Sequence, residues 1–298
     1  MNYPFISIII PVFNDKENLL KLEESLNLQT YPADSFEILI IDNGSKEAID
    51  IFIKKTKRII ILKENSIKSS YAARNLGIIN ARGSILAFID SDCVPDINWL
   101  ERGIGIIQNK QIDMVAGNVI FTFSEHPKIS EIYDSLTFFK QEKYVKQGSS
   151  GAGNLFVKKE VFEKVGLFSP FLKSGGDMIW TSKAGEMGFK LSYSDNTIVY
   201  HAAKNQKMLF LKSYRMGYSF IDFSHFQNKK NLHILSRVVK NFFPTKFFIS
   251  RKYNGEKRFP LTLIDWCFRL GKNFGTIAYL LNFLSNKNKI ERTHFMIF

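Results

Sequence analysis

Residues 85–92 read Ile-Leu-Ala-Phe-Ile-Asp-Ser-Asp, an uninterrupted apolar run that ends in two carboxylates. An apolar run of this length predicts a strand that is buried on both faces. Three other β-branched runs alternate with three helical patterns: 6–10, 37–41 and 59–62 for the strands, and 15–28, 71–81 and 97–108 for the helices. The alternation predicts an α/β fold whose mostly parallel sheet is covered by helices.

Polar residues follow three of these strands. The first strand leads into Pro-Val-Phe-Asn at 11–14, the second into Asp-Asn-Gly-Ser at 42–45, and the fourth into Asp-Ser-Asp at 90–92. Ligands of such sheets bind beyond the carboxyl ends of the strands, so these residues are site candidates. No glycine-rich dinucleotide fingerprint or Walker loop follows the first strand, which argues against a Rossmann dehydrogenase or a P-loop enzyme.

The pair Asp90 and Asp92 is the strongest chemical signal among them. Two carboxylates at a strand end can hold a divalent cation and leave positions open for a ligand's phosphates. A helix N-cap is the structural alternative. A calcium loop is excluded because Val94 and Pro95 stand where that loop needs a ligand and a glycine.

Two further segments are ambiguous when each is considered alone. Arg74, on the helix that leads into the fourth strand, could neutralise a diphosphate or could be an exposed, solvated side chain. The segment 42–45 could be an ordinary turn, and the Gly- and Ser-rich segment 148–154 could be a flexible loop, an acceptor-side wall or a connector.

Taken together, the order and spacing of these pieces resemble family 2 of the GT-A-type glycosyltransferases. The resemblance rests on Ile-Ile-Pro-Val-Phe-Asn at 9–14, Ile-Leu-Ile-Ile-Asp-Asn-Gly-Ser at 38–45 and Ala-Ala-Arg-Asn-Leu-Gly at 72–77, followed by Asp-Ser-Asp. It continues through Gly-Ala-Gly-Asn-Leu at 151–155 and Gly-Gly-Asp at 175–177 to Val-Tyr-His at 199–201, and so covers about residues 4–204.

The resemblance implies a GT-A fold and a metal-dependent, inverting transfer of a sugar from a nucleotide-sugar, with a UDP-sugar favoured, to an acceptor hydroxyl. The expected setting is polysaccharide or glycolipid assembly at the cell surface. In the donor site, Asp42 would hold the base, Asp90 the ribose and Arg74 the diphosphate side. The full set of implied donor-binding residues is Pro11, Asn14, Glu17, Asp42, Arg74, Asp90 and Ser91.

The resemblance also implies a cation, Mn²⁺ or Mg²⁺, held by Asp92 with Asp90 and completed by His201. A lone histidine such as His201 is, on its own, more often a surface residue or a satisfied structural one. Asp177 takes the position of the family's catalytic base, although Gly176 stands where the family usually has Glu. A helix N-cap is the structural alternative for Asp177.

Charge divides the chain in two. The net charge is +13, yet residues 1–204 contain 24 basic and 24 acidic residues, and residues 205–298 contain 17 basic and 4 acidic ones. We therefore expect a GT-A catalytic domain at 1–204 and a basic, aromatic-rich helical extension at 205–298. The extension has no nucleic-acid-binding motif, so nucleic acid is not expected as a partner.

The extension contains helical patterns at 208–226, 232–243 and 261–284. In the last of these, the polar residues fall on one narrow stripe, made of Asp265, Arg269, Lys272 and Thr276. An apolar helix with cationic residues at its edge is typical of a helix lying in the plane of an anionic membrane. Packing against the catalytic domain or against a second subunit in an oligomer is the alternative.

Other features bear on location. The longest uncharged run of the extension, 273–286, has 14 residues and is too short for a spanning helix. The first residues lack the basic start of a secretory signal, and Cys93 and Cys267 give no disulfide framework. These features predict a cytoplasmic protein, peripheral at the cytoplasmic membrane face and suited to a lipid-linked acceptor.

Two other functions remain open on the sequence alone. A non-catalytic family member acting as a scaffold is disfavoured by the presence of Asp42, Asp90, Asp92 and Asp177 together. A nucleotidyltransferase would also use paired carboxylates and a metal, but would release pyrophosphate instead of a nucleoside diphosphate.

Overall fold

The computed structural model describes residues 3–108, 111–226, 231–243 and 258–285. The chain forms two compact units. Unit 1 comprises Met1–Phe123 and Phe138–Ala202, and unit 2 comprises Ser124–Thr137 and Ala203–Phe298. Segment 124–137 thus groups with the extension and not with the segments that flank it in sequence. Residues 227–230, 244–257 and 286–298 of the predicted extension lie outside the described residues.

Unit 1 is built on one mixed sheet. Its strands, among the described residues, are β1 (Ile6–Val12), β2 (Phe36–Asp42), β3 (Ile59–Lys63), β4 (Ile85–Ile89), β5 (Cys93–Pro95), β6 (Met114–Thr122), β7 (Asn154–Lys158) and β8 (Leu191–Ala202). Their order across the sheet is β3-β2-β1-β4-β7-β6-β8-β5. The four strands predicted from sequence form one half, and every residue of β1 and β2 is buried, as expected for a sheet covered on both faces.

The other half of the sheet departs from the parallel pattern. Strand β7 pairs antiparallel with both β4 and β6, and β5 pairs antiparallel with β8. The α/β class is confirmed, but the sheet is more mixed than the sequence pattern indicated. The pattern carried no information on strand direction beyond β4.

Helices flank the sheet of unit 1. They are α1 (Lys16–Asn27), α2 (Ser70–Asn80), α3 (Trp99–Ile107), α5 (Gln141–Lys146), α6 (Lys159–Val165) and α7 (Gly176–Glu186). Apolar residues at helical spacing pack on the sheet, as with Leu19, Leu22 and Leu26 of α1. The N-cap of α2 is Ser69, whose hydroxyl oxygen accepts from the backbone N–H of Tyr71.

Unit 2 is helical in its described part. It contains α4 (Ile129–Thr137), α8 (Gln206–Tyr218), α9 (Phe220–Phe226), α10 (Asn231–Asn241) and α11 (Arg258–Ser285). The single helix predicted at 208–226 is two helices, because α8 ends at Tyr218. Helices α8 and α11 cross closely: Thr276 donates to the carbonyl of Gly217 over 2.9 Å, and a Cβ on Gly217 would collide with the carbonyl of Lys272.

The polar stripe of α11 faces the interior of unit 2. Asp265 accepts from the hydroxyl of Tyr133 over 2.9 Å, Arg269 donates to the carbonyl of Lys240 over 2.6 Å, and Thr276 is buried. The exposed apolar stripe of the same helix consists of Phe259, Leu263, Phe274, Ile277 and Leu281. Helix α11 therefore buries its polar side and exposes an apolar one.

Unit 2 also contains an open cleft of about 960 Å³. Its walls include Leu209 and Phe210 of α8 and Phe268 and Phe274 of α11. In the described part of the chain, no helix has the length and apolar character that crossing a membrane requires.

Candidate active site

The carboxylate of Asp177 lies in the first turn of α7 and accepts three hydrogen bonds. Its Oδ1 accepts from the hydroxyl of Tyr71 and from the backbone N–H of Met178, each over 3.0 Å. Its Oδ2 accepts from the backbone N–H of Ala152 over 2.8 Å. The N-cap of α7 is Gly175, so the N-cap alternative for Asp177 is wrong.

Arg74 and Asp90 form a buried ion pair. The guanidinium Nη2 donates to Asp90 Oδ1 over 2.5 Å, and Arg74 is only 4% exposed. The alternative of a solvated Arg74 is therefore wrong. An unpaired guanidinium in this buried position would be costly, and the carboxylate of Asp90 neutralises its charge. The Asp90 side chain itself stays partly exposed.

Two elements connect the carboxylates of Asp90 and Asp177. Tyr71 and Arg74 are three residues apart on one face of α2, where the first binds Asp177 and the second binds Asp90. The loop at 151–153 touches both, because a Cβ on Gly151 would lie 3.6 Å from Asp177 Oδ2 and one on Gly153 would lie 3.1 Å from Asp90 Oδ2. The two acids thus share one helix and one loop.

Sequence reasoning missed Tyr71. The spacing of three residues from Arg74 was an available signal, because it puts both side chains on one helical face. Burial and the nearby charge of Asp177 raise the pKa of the Tyr71 phenol. Burial, with the same carboxylate adding to it, raises the pKa of Tyr144 on α5. Both phenols therefore keep their protons at neutral pH.

The segment 148–154 is fixed in place. Gln141 of α5 donates to the carbonyl of Gly151 and accepts from its N–H, each over 3.0 Å. The N–H of Ser150 donates to Thr181 Oγ1 over 2.8 Å. These bonds and the burial of Ser150 favour a connector bonded to α5 and α7 over a flexible loop. Nothing in the sequence indicated that Gln141 belongs to the site. Its side chain contributes by holding the backbone of Gly151.

Asp92 and His201 meet at the other end of the Asp-Ser-Asp motif. Asp92 Oδ2 lies 3.4 Å from His201 Nε2. The backbone sets this approach, since His201 is the β8 partner of Cys93 on β5. The buried imidazole packs against the ring of Phe139, with 4.8 Å between centroids.

Asp92 and His201 suit a divalent cation. Carboxylate oxygen and imidazole nitrogen are both ligands of Mn²⁺, and Mg²⁺ or Mn²⁺ sites often combine few protein ligands with phosphate oxygens. The Nδ1 of His201 is buried without a hydrogen-bond partner, so packing fixes the ring. Over the described ranges, no group of three potential metal-binding side chains occurs, and Asp90 is engaged by Arg74.

The loops after β1 and β2 are bonded to each other. Asn14, with a left-handed φ of 52°, donates its N–H to Ser45 Oγ over 2.9 Å and accepts from the N–H of Lys46 over 2.8 Å. The N–H of Ser45 donates to Asp42 Oδ1 over 2.8 Å. Asn14 and Asp42 are thus linked through Ser45. The segment 42–45 is a turn that also contacts the loop after β1.

The remaining predicted donor residues lie near the same sheet edge. Pro11 is buried in β1 and pairs with Ile41 of β2. Glu17 is exposed in the first turn of α1. Ser91 donates its hydroxyl to Asp15 Oδ2 over 2.7 Å, which ties the Asp-Ser-Asp motif to the start of α1.

Comparison with protein families gives one match that covers half of the chain. The family described as Glycosyl transferase family 2 matches residues 7–166. Glycosyltransferase AglE of Haloferax volcanii is 34% identical over 294 residues, which cover 93% of this chain and 97% of that protein. Glycosyltransferase GlyG of Streptococcus pneumoniae is 31% identical over 117 residues, 38% of each chain.

Solved structures show the same fold. The mannosyltransferase PcManGT of Pyrobaculum calidifontis, in complex with GDP-Man and Mn²⁺, aligns with a TM-score of 0.58 at 15% identity over 97% of this chain and 76% of that one. Residues 1–349 of TarS from S. aureus align with a TM-score of 0.53 at 15% identity, covering 93% of this chain and 92% of that one. At this identity the likeness concerns the fold alone.

Proposed function

This chain belongs to glycosyltransferase family 2, and on that premise we propose that it transfers a sugar from a nucleotide-sugar to an acceptor hydroxyl with inversion. The observation that carries the proposal is the Asp177 carboxylate, which three donors fix beside the loop that also contacts Asp90. Residues 1–204 would form the catalytic part.

The donor would occupy the edge formed by the ends of β1, β2 and β4. Asp42 would hold the base, with Pro11, Asn14, Glu17 and Ser91 around the nucleotide. Asp90 would accept from the ribose, and Arg74 would lie on the diphosphate side, where its positive charge balances that of Asp90. We favour UDP as the nucleotide; TarS has been solved with UDP and PcManGT with GDP-Man.

Asp92 and His201 would hold the divalent cation, and oxygens of the donor diphosphate would complete its coordination. When bound, Mn²⁺ or Mg²⁺ offsets the repulsion between the diphosphate and the two aspartates and stabilises the charge on the leaving group. Asp90 would contribute from the ribose side while it remains paired with Arg74.

Asp177 would act as the general base. Its carboxylate accepts the proton of the acceptor hydroxyl while that oxygen bonds to the anomeric carbon. The bond from this carbon to the diphosphate breaks on the opposite face, so the configuration inverts. The products are the glycoside and a nucleoside diphosphate. Fixing the carboxylate before reaction supplies the orientation that such a step requires.

The replacement Asp177→Asn tests this assignment. We expect release of nucleoside diphosphate from a donor panel of UDP-sugars and GDP-mannose, with Mn²⁺ present, to fall at least about 100-fold. Asp195→Asn, at an exposed position on β8, is the matched control and should keep full activity. Full activity in Asp177→Asn would refute the base, and release of pyrophosphate by the unchanged protein would indicate a nucleotidyltransferase.

We also propose that residues 205–298 hold the enzyme at an anionic membrane, at its cytoplasmic face. The exposed apolar side of α11 supports this, as does the excess of 17 basic over 4 acidic residues. Each basic residue near an anionic leaflet contributes about 1 kcal/mol. Such a location would give access to a lipid-linked acceptor.

A further inference from the structure

The hydroxyl of Tyr71 is the side-chain donor among the three groups that bind Asp177, over 3.0 Å to Oδ1. The other two, Ala152 and Met178, donate from the backbone. Tyr71 is 4% exposed and lies in the first turn of α2. Its ring packs against Phe168 with 5.9 Å between centroids, so the position of the hydroxyl is set by the core of unit 1.

Gly176 provides the space for this ring. A Cβ at position 176 would lie 3.0 to 3.2 Å from three ring carbons of Tyr71, closer than ordinary van der Waals contact. A side chain at position 176 would therefore require the Tyr71 ring to shift by a few tenths of an ångström.

We propose that Tyr71 is a positioning residue that orients the catalytic carboxylate of Asp177, in the space that Gly176 leaves open. The proposal rests on the proposed function of Asp177 as general base. Tyr71 donates to the carboxylate of Asp177 from a ring that the core holds in place, and this bond fixes the rotamer of the carboxylate.

The variant Tyr71→Phe removes the donor and keeps the ring. We expect kcat for hydrolysis of the donor, in which water replaces the acceptor, to fall about 10- to 100-fold with little change in KM. Tyr31→Phe is the matched control: its hydroxyl donates to the carbonyl of Pro4 over 2.7 Å, and its loss should leave both readouts unchanged.

Gly176→Ala tests whether the space at position 176 is needed for the hydrogen bond between Tyr71 and Asp177. Its Cβ should displace the Tyr71 ring and lower kcat in the wild-type background. In Tyr71→Phe the same change should cost less, since the bond it disrupts is already absent. Melting temperatures of all variants separate this effect from a loss of folded protein.

The outcomes are distinguishable from those for Asp177. If Asp177→Asn is inactive while Tyr71→Phe keeps its kcat, the positioning role is refuted and the general base stands. If Asp177→Asn stays fully active, both assignments are refuted. A fall in kcat/KM of Tyr71→Phe that comes from a higher KM, or that accompanies a lower melting temperature, also overturns the positioning role, because it would indicate a merely structural contribution.

Discussion

Unit 1 and unit 2 distribute polar and apolar side chains in opposite ways. In unit 1, α1 buries Leu19, Leu22 and Leu26 against a sheet whose central strands are wholly buried. In unit 2, α11 directs its polar residues inward and leaves an apolar stripe exposed. Apolar faces of the unit 1 helices thus pack on the sheet, whereas α11 leaves a contiguous apolar stripe on its surface.

The comparison shows that an amphipathic pattern does not reveal which face is buried. The stripe of Asp265, Arg269, Lys272 and Thr276 was expected from sequence, with its polar side at the membrane edge. In the structure these residues make the internal contacts of unit 2, so the helix both packs within its unit and exposes apolar surface. These contacts lie within unit 2, so the two alternatives drawn from the sequence, a membrane surface and packing against the catalytic domain or a second subunit, both stay predictions.

The largest expected difference between the units concerns glycine. Gly217→Ala should destabilise unit 2 by about 1–3 kcal/mol, because its Cβ would meet the backbone of Lys272 at the α8–α11 crossing. Gly105→Ala in α3, where nothing lies within 4 Å, should stabilise unit 1 by up to about 1 kcal/mol through helix propensity. Denaturant unfolding measures both. Equal changes in the free energy of unfolding for Gly217→Ala and Gly105→Ala would contradict the close helix crossing in unit 2.

A smaller effect is expected at the exposed apolar stripe. Phe274→Ser should weaken co-sedimentation with phosphatidylserine-containing vesicles about tenfold and leave the melting temperature nearly unchanged, because the ring is 53% exposed. Ile79→Ser, at an exposed apolar position on α2, is the control in unit 1 and should bind vesicles like wild type. Salt should weaken wild-type binding, and equal binding to neutral vesicles would contradict the electrostatic part.

The last effect concerns two partly buried lysines of unit 2 and is measured as a dependence of stability on pH. Burial lowers the pKa of Lys212, the partner of Asp134, and of Lys272 from 10.5 to about 8. Between these values the unfolded chain binds more protons, so the lysines' contribution to stability rises with pH from about 8 to 10.5 and is constant below 8.

Lys272→Met isolates that contribution. The stability advantage of this variant over wild type should be largest at pH 7 and should shrink by pH 10. Exposed Lys207→Met should show no such trend. If the stability advantage of Lys272→Met grew with pH, the pKa of Lys272 would not be lowered in the folded protein.

The first half of the fold followed from sequence because its strands are continuous apolar runs between clear helices. The predicted strand at 85–89 and the predicted helix at 15–28 agree with β4 and α1 to within one residue at each end. The antiparallel placement of β7 did not follow, since five residues, Asn154–Lys158, carry no signal for direction. Nor did the grouping of segment 124–137 with unit 2, which depends on contacts such as that of Asp134 with Lys212.

The sequence predicted the site residues that lie at strand ends, and it missed those that reach the site from helices. Asp42, Asp90 and Asp92 occupy one sheet edge because parallel strands end there together. Tyr71 and Gln141 reach the site from helices, and their partners Asp177 and Gly151 are fixed by packing that no local pattern encodes. The roles assigned to these residues in donor, metal and acceptor binding remain predictions.

Because β5 pairs with β8, the Asp92–His201 contact can form only late in synthesis and folding. Asp92 leaves the ribosome long before His201, and the two approach only when Cys93 pairs with its partner on the last strand of unit 1. A nascent chain that stops before β8 lacks His201 and cannot make this contact. The Asp92–His201 contact should therefore form together with the closing strand.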